Sequence, residues 1–480
     1  MIAFPMAAFL NAITADIANR FVAFFMDKFS TVTSQTNEGK RLQHDLQRLL
    51  LRVRIIIEEA EGRCMTNKAM IYQLNILRKE MYRGYFTMDS LRIQGYKELK
   101  DHDVSHSSAP SEFNPAKRRF FCTGNKHMEK DTHQVLQNLN NIMVDMSEFV
   151  AILNNCPVLY RQPYSMHMYI GKCMFGRQME MERVMDFLVQ IEHPSMESLG
   201  VLPIVGTIFV GKTTLIGHVC NDSRVRRHFS RIVLVTEDET RDESVSTLNY
   251  GGVIVHQDNS NDQSERLLTI IEFSRNIDEV SWNSLYSSAK GCGASGSRMI
   301  ITSRSNDIIK FGTTQPLVLS SLPLEAYWYL FKILVFGSID SNDHPRLESI
   351  AMEMARWMNG SFIDAHIMSD FLRKNLDVQN WCMCLATVKK NIQRNIYLYG
   401  EDPYALAGKN KSISYQVDNN IVFYSQHRAC RGKDSVPVIT VHDLCGSAVK
   451  REGEFDVLLW KSNILPYKSY VASCMIEESS

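Results

Sequence analysis

Gly206 to Thr213 reads GTIFVGKT and fits the pattern G-x-x-x-x-G-K-[ST]. With glycine near 7% of ordinary composition, a chain of this length carries such a match by chance about 0.02 times. The chemistry open to these residue types is capture of a polyphosphate. Backbone N–H groups of a glycine-bounded loop and the start of the next helix converge on phosphate oxygens, where the helix dipole favours negative charge. The Lys212 ammonium then reaches the β- and γ-phosphates, the Thr213 hydroxyl is offered to Mg²⁺, and Thr214 lies near the α- and β-phosphates. Gly206, Thr207, Val210, Gly211, Lys212, Thr213, Thr214 and Leu215 are the residues expected around the nucleotide. Ile208 and Phe209 put bulk where small residues would let the backbone approach phosphate, which predicts a preference for a diphosphate over a triphosphate. Pro203 stands in what should be a central strand, where it removes a ladder donor.

The elements that must position this loop lie on either side of it. LGVLPIV runs in as a strand and TTLIGHVC runs out as a helix. From about residue 199, short β-prone runs alternate with helical stretches: Val201–Val205, Ile232–Thr236, Leu267–Ile271 and Met299–Thr302. That alternation predicts a parallel sheet covered by helices on both faces. Helical patterning returns over Leu324–Phe336 and Arg346–Met358, while residues 401–480, with VPVITV and FDVLLW, read as extended and irregular. Ahead of the loop the chain is helical. Leu10, Ile13, Ile17, Phe21 and Phe24 share one face, as do Leu42, Leu46, Leu49, Val53 and Ile56. Ile71, Leu74, Leu77 and Met81 form a third stripe, and Leu136, Leu139, Met143, Met146, Val150 and Leu153 a fourth. Four such helices bury their stripes against each other as a bundle, and core formation alone accounts for the pattern. Residues 100–118, rich in charge, Ser and Pro, read as a linker. No internal repeat supports a solenoid.

Composition narrows the function classes. The chain has 480 residues, 45% of them hydrophobic and 22% charged, enough for sizeable cores. Lys plus Arg and Asp plus Glu are 53 each, so no net field draws the chain to nucleic acid, and no nucleic-acid partner is expected. The 11 cysteines are scattered, with Cys382 and Cys384 the only close pair, as for free thiols of a reducing compartment. No basic segment precedes the N-terminal apolar stretch, and Asp16 and Arg20 interrupt it, so neither a signal peptide nor a transmembrane segment is expected. These features predict a cytoplasmic protein.

Several stretches, in order, are similar to the NB-ARC domain of plant nucleotide-binding, leucine-rich-repeat immune receptors. MFGRQMEMERVMDFL, with Gly176 and Arg177, resembles the entry motif of that family, and VGTIFVGKTTL its P-loop, which is usually richer in glycine. GSRMIITSR, with Arg298 and Arg304, closely matches the GSRIIVTTR stretch, and SSLPLEAYWYLF resembles the segment with a Glu-Ala-Trp and Leu-Phe pattern. Trp282 and Leu285 fit the W-x-x-L after the Walker B strand. The likeness covers about residues 170–365. The N-terminal bundle is similar to the coiled-coil-type domain of many such receptors, although RGYFTMDS keeps only Asp89 of the usual acidic cluster. FDVLLWKSNILPYKSY resembles the tails of short, repeat-free relatives.

The resemblance implies an α/β P-loop NTPase domain preceded by an α-helical bundle and followed by a helical ARC-like subdomain and a β-rich tail. The expected divisions are 1–155 for the helical domain, 156–312 for the nucleotide-binding domain, 313–400 for the ARC-like subdomain and 401–480 for the tail. It also implies ADP or ATP as ligand with Mg²⁺, Arg304 as the arginine that senses the γ-phosphate, and a switch in plant defence. Two motifs depart from the pattern. In LLTIIEFS, Glu272 stands where the family has the first of two aspartates and is the expected metal-side carboxylate beside Thr213, whereas Phe273 replaces the second. Loss of a water-orienting group typically removes about 10² to 10⁴ in rate, so little or no ATP turnover is expected. GSFIDA, from Gly360, lacks the proline usual near the base. VHDL places His442 for comparison with the histidine that contacts the ADP β-phosphate, but only 82 residues after Gly360. Expected partners are an adenine nucleotide and other proteins, another immune receptor or a second copy joined through the N-terminal bundle. Two other functions compete: a slow P-loop ATPase, and a nucleotide-dead decoy or helper that keeps the fold without the ligand.

Overall fold

The computed structural model describes residues 37–61, 67–104, 125–157, 175–189, 199–236, 253–255, 266–273, 276–292, 294–337, 339–409, 411–417, 420–431, 454–461 and 468–478, with Arg63, Met65, Ile439, Thr440 and Asp443 as isolated positions. The stripe from Leu10 to Phe24 and His442 of VHDL lie outside the described residues. The chain divides into two compact units. One comprises Met1–Pro163 with Asp340–Ser349, the other Tyr164–Ile339 with Ile350–Ser480.

In the first unit, helices α1 (Asn37–Glu61), α2 (Lys68–Val104) and α3 (Asn125–Leu153) pack together. Leu46, Leu49 and Val53 of α1, all four residues of the α2 stripe, and Leu136, Leu139, Met146 and Leu153 of α3 are buried. Two positions differ from the expected stripes. Val150 is exposed and Phe149 takes its place in the core, and Ile57 is buried more deeply than Ile56. A helix turns 3.6 residues per turn, so a near-heptad stripe drifts around the helix and its last members pass to a neighbouring residue. Helix α2 also continues to Val104, into the segment read as linker. A side chain at Gly84 would place its Cβ 2.5 Å from Leu50 Cδ2, which marks the close approach of α2 to α1. The α3 C-terminus exposes carbonyls with no partner in the helix. Arg63 supplies one, its guanidinium donating to Leu153, Asn154 and Cys156 at 3.1–3.3 Å.

The second unit is built on a six-stranded sheet. Its strands are β1 (Gly200–Gly206), β2 (Arg231–Thr236), β3 (Val253–Val255), β4 (Leu267–Phe273), β5 (Arg298–Ser303) and β6 (Leu317–Leu319), in spatial order β3-β2-β4-β5-β1-β6. All pairings are parallel except β2 with β3, so the expected parallel sheet has one antiparallel edge. Alternate residues of the central strands face opposite sides. Leu202, Ile204, Leu234, Ile270 and Ile300 meet α4 (Gln178–Val189), α5 (Lys212–Asn221) and α6 (Ser223–His228) on one face. Val201, Val205, Val233, Ile271 and Ile301 meet Trp282 and Leu285 of α7 (Glu279–Cys292) on the other. This is why the strands read as near-continuous apolar runs.

Pro203 fits this sheet for a local reason. Val201 donates its N–H to Thr313 Oγ1 at 2.7 Å, so the N–H groups of alternate residues 201, 203 and 205 point toward the β6 side. The ladder with β6 begins only at Ile204. The donor that Pro203 lacks therefore falls one step before a partner strand arrives, and the ring packs on Gly312, where a Cβ would come within 2.4 Å of it.

Beyond β6 the chain forms α8 (Leu324–Phe336), α9 (Pro345–Trp357), α10 (Phe362–Lys374), α11 (Val378–Tyr399) and the short α12 (Pro403–Gly408). The tail is more regular than its sequence reads. Strands β7 (Ile413–Val417), β8 (Asn420–Arg431), β9 (Glu454–Lys461) and β10 (Lys468–Glu478) make an antiparallel sheet in the order β7-β8-β10-β9.

Candidate functional site

Ligands of open parallel sheets bind beyond the carboxyl ends of the strands, where the winding changes direction. Here that point is the end of β1, between β5 and β6, and the loop Gly206–Gly211 lies there. Gly206 has no room for a side chain, since a Cβ would sit 2.6 Å from the Leu319 carbonyl oxygen of β6. Gly211 caps α5 in the left-handed region at φ 93. Phe209 adopts φ 61, a conformation in which a side chain costs about 1–2 kcal/mol. Apolar packing offsets it: Ile208 and Phe209 pack with Leu406 and Ala407 of α12 and Ile413 and Tyr415 of β7. Both side chains thus pack against the C-terminal elements.

Four of the expected chemical groups are brought together. Lys212 Nζ donates to the carbonyls of Gly206 at 2.6 Å and Thr207 at 2.8 Å. Burial lowers its pKa to about 8; the nearby Glu272 charge opposes this and Arg304 adds to it. Thr213 Oγ1 donates to Glu272 Oε1 at 3.2 Å. Arg304, just past β5, donates to the Ala407 carbonyl at 2.9 Å. Burial pulls its pKa below the ordinary arginine value, while Tyr470 and Glu272 act the other way. Thr214 sits in the first turn of α5. The Val210 and Leu215 side chains belong to the core, and the Leu215 amide already donates to the Gly211 carbonyl at 2.9 Å. Phe273 is also in the core, on the Trp282 face of the sheet.

Two supporting contacts hold this arrangement. Arg177 donates to the Val210 carbonyl at 3.3 Å and to the Ser320 carbonyl, tying the loop to the segment that leads into α8. Its partner in the GR pair, Gly176, has φ +66, and a Cβ there would meet Leu322 Cδ2 at 2.9 Å. On the other side, Tyr404 donates to Asp364 at 2.7 Å, which fixes α12 against α10 and so places the carbonyl that Arg304 meets. Arg298, by contrast, is buried and bonds to the Phe187 carbonyl, a packing role.

One residue in the site escaped the sequence reading. The Tyr470 hydroxyl of β10 lies 3.0 Å from Thr213 Oγ1. Burial raises its pKa, as does Glu272, so it is a neutral phenol at physiological pH. Tyr470 ends the FDVLLWKSNILPYKSY stretch, but nothing in that stretch says which strand face turns toward the loop. Pairing of β10 with β9 shifts register between Tyr470 and Val471, and pairing with β8 shifts between Val471 and Ser473. Such bulges re-aim side chains.

The residues fit a nucleotide phosphate. Two cations, Lys212 and Arg304, face one carboxylate at a helix N-terminus, which leaves a positive surplus for an anion. Among the described residues no cluster of three or more His, Cys, Asp or Glu could hold a metal by itself. A Mg²⁺ ion here would draw ligands from phosphate oxygens with Thr213 and Glu272, as Mg²⁺ commonly does. No helix of the described residues is long and apolar enough to cross a membrane.

The NB-ARC domain profile matches residues 177–341. Disease resistance protein RGA2 of Solanum bulbocastanum is 28% identical over 223 residues, covering 43% of this chain and 23% of that protein. The relative named RGA1, from the same species, is 24% identical over 361 residues, covering 71% of this chain and 35% of its own length. The chain thus spans only 23–35% of these curated relatives. Among solved structures, that of C. elegans PCH-2 is similar over 44% of this chain and 68% of its own, at 11% identity and a TM-score of 0.31, too loose a likeness to bear on function. Lys212, Thr213, Glu272 and Arg304 all fall inside the matched segment and Tyr470 lies beyond it; residues 177–341 are thus similar to the NB-ARC domain, and the curated relatives of the chain are named as disease resistance proteins.

Proposed function

We propose that the chain is an adenine-nucleotide-binding switch protein of plant defence that turns over little or no ATP. The observation that carries this reading is the convergence of Lys212, Thr213, Glu272 and Arg304 at one strand-end crevice, with Phe273 in the core where a second carboxylate would stand. Lys212, Thr213, Thr214 and the amides of the loop would hold the phosphates, Glu272 would face the Mg²⁺ side, and Arg304 would meet the terminal phosphate. A bound nucleotide supplies negative charge; the chain supplies its capture and its readout. Arg304 suits the readout because a guanidinium stays charged and grips phosphate with two prongs. While it holds the Ala407 carbonyl, it ties the nucleotide crevice to α12. Exchanging that carbonyl for a phosphate oxygen would remove one of the contacts that hold α12 to the loop region, alongside the packing of Ile208 and Phe209. The family likeness supports adenine as the base, a cytoplasmic setting, protein partners and a role for residues 1–155 in association.

Titration of the intact chain with Mg·ADP, read by thermal unfolding, tests the binding. At 100 times Kd the ligand stabilises by about 2.7 kcal/mol, and Lys212→Ala abolishes the effect. The absence of any shift at saturating ADP would mark a scaffold that binds no nucleotide. A steady-state phosphate-release assay tests the turnover. Linear ATP hydrolysis well above the Lys212→Ala background would make the protein an ATPase.

A further inference from the structure

The C-terminal elements touch the phosphate loop region at three separate points. Ile208 and Phe209 pack on α12 and β7, Arg304 donates to Ala407, and Thr213 meets Tyr470. The third contact has the most specific chemistry. A threonine hydroxyl has one proton and two acceptor lone pairs. Thr213 gives its proton to Glu272, so across the 3.0 Å contact the Tyr470 phenol donates and a Thr213 lone pair accepts. A Mg²⁺ ion held by Thr213 needs a lone pair of that same oxygen, at about 2.1 Å, and brings ordered waters with it. Tyr470 takes one of the two lone pairs, so a metal on the other would have to seat its waters against a hydroxyl 3.0 Å from the same oxygen.

Tyr470 is not a loose side chain that can simply swing aside. Val471, Ala472 and Cys474, which follow it on β10, are fully buried, with Val457 of β9 beside them. Trp460, its partner across the β9 ladder, has its ring 6.3 Å from the Tyr470 ring. Leaving Thr213 therefore involves the strand.

We propose that Tyr470 gates the metal. Docked on Thr213, it lets the loop hold a nucleoside diphosphate with no divalent cation on the threonine, and the Mg²⁺-bound triphosphate enters only when β10 draws the phenol away. This inference rests on the nucleotide-binding reading above and adds to it the residue that sets the metal dependence.

The test compares the intact chain with Tyr470→Phe, which removes the hydroxyl and keeps the ring in its packing. ADP and a non-hydrolysable ATP analogue are titrated calorimetrically into each, once in excess MgCl₂ and once in EDTA. In the parent chain Mg²⁺ changes ADP affinity by less than about threefold, whereas in Tyr470→Phe it tightens the triphosphate by about five- to tenfold more than in the parent, the worth of one hydrogen bond. Hydrogen exchange without nucleotide gives a second readout: the amides of the first turn of α5 exchange faster in Tyr470→Phe. Nucleotide binding with the same Mg²⁺ response in both chains overturns the gate alone, as does unchanged exchange. If neither chain binds nucleotide, or Lys212→Ala binds ADP as well as the parent, the underlying reading fails and the gate falls with it.

Discussion

Arg304 donates to the carbonyl oxygen of Ala407 at 2.9 Å, and 103 residues of chain separate the two. The guanidinium is the group expected to sense a phosphate, yet its partner is a backbone carbonyl of α12. The Ala407 carbonyl and a phosphate would thus compete for the same guanidinium.

Replacing Arg304 with Gln should therefore weaken the triphosphate more than the diphosphate. One charge-assisted contact is worth about 1.5–3 kcal/mol, so roughly a tenfold to hundredfold loss for the ATP analogue is expected. Arg304→Lys should recover only part of it, because an ammonium cannot form the two-pronged bond. Calorimetric titration of the two variants checks both points, and equal loss for ADP and ATP would remove the sensing role.

Gly206→Ala places a methyl group 2.6 Å from the Leu319 carbonyl, a backbone atom that can move only with β6. Overpacking of this kind typically costs about 1–3 kcal/mol. The expected result is a lower midpoint in urea, together with loss of ADP binding, because the loop must shift to relieve the clash.

Protonation of histidine should destabilise the second unit in acid. His218 lies on α5 with its Nε2 buried and without a hydrogen-bond partner, and burial lowers its pKa below the ordinary 6.5. Below that value the unfolded chain takes up the proton more readily than the folded one, so stability rises with pH across the window and is lost as pH falls through it. His366 shifts in the same direction, again through burial, and adds to the slope. Thermal unfolding between about pH 7.5 and 5.5 should show a falling midpoint, and His218→Gln should flatten it in part. An unchanged slope in that variant would mean that His218 takes up its proton as readily in the folded chain as in the unfolded one.

In the helical unit, Arg63→Ala removes the donor that meets three carbonyls at the end of α3. Unsatisfied carbonyls and a lost charge at a helix C-terminus together cost about 1–2 kcal/mol. Hydrogen exchange over residues 146–153 should accelerate, while exchange in the phosphate loop should not change.

How much of this was legible depends on the distance over which each signal acts. The phosphate loop, its strand and its helix are contiguous, so the spacing of Gly206, Gly211 and Lys212 reveals them at once. Glu272 and Arg304 stand at strand ends whose apolar runs are plain, and a parallel sheet brings strand ends together. The Pro203 anomaly needed the ladder, since only the register with β6 shows that no donor is missed there. The packing of Ile208 and Phe209 was not legible, because α12 and β7, which receive them, lie far along the chain. Tyr470 was out of reach for a stronger reason. It meets Thr213 across 257 residues, in a sheet whose bulges break the alternation that would tell its facing.

Those bulges have a mechanical consequence. Side chains along a strand face one side or the other with a period of two, so a slip of one position reverses them all. Ser469 and Val471, the neighbours of Tyr470, are both buried, and neither carries a phenol. A sliding β10 would thus present the aromatic hydroxyl to the crevice in one setting and withdraw it in the next, with no stable halfway point.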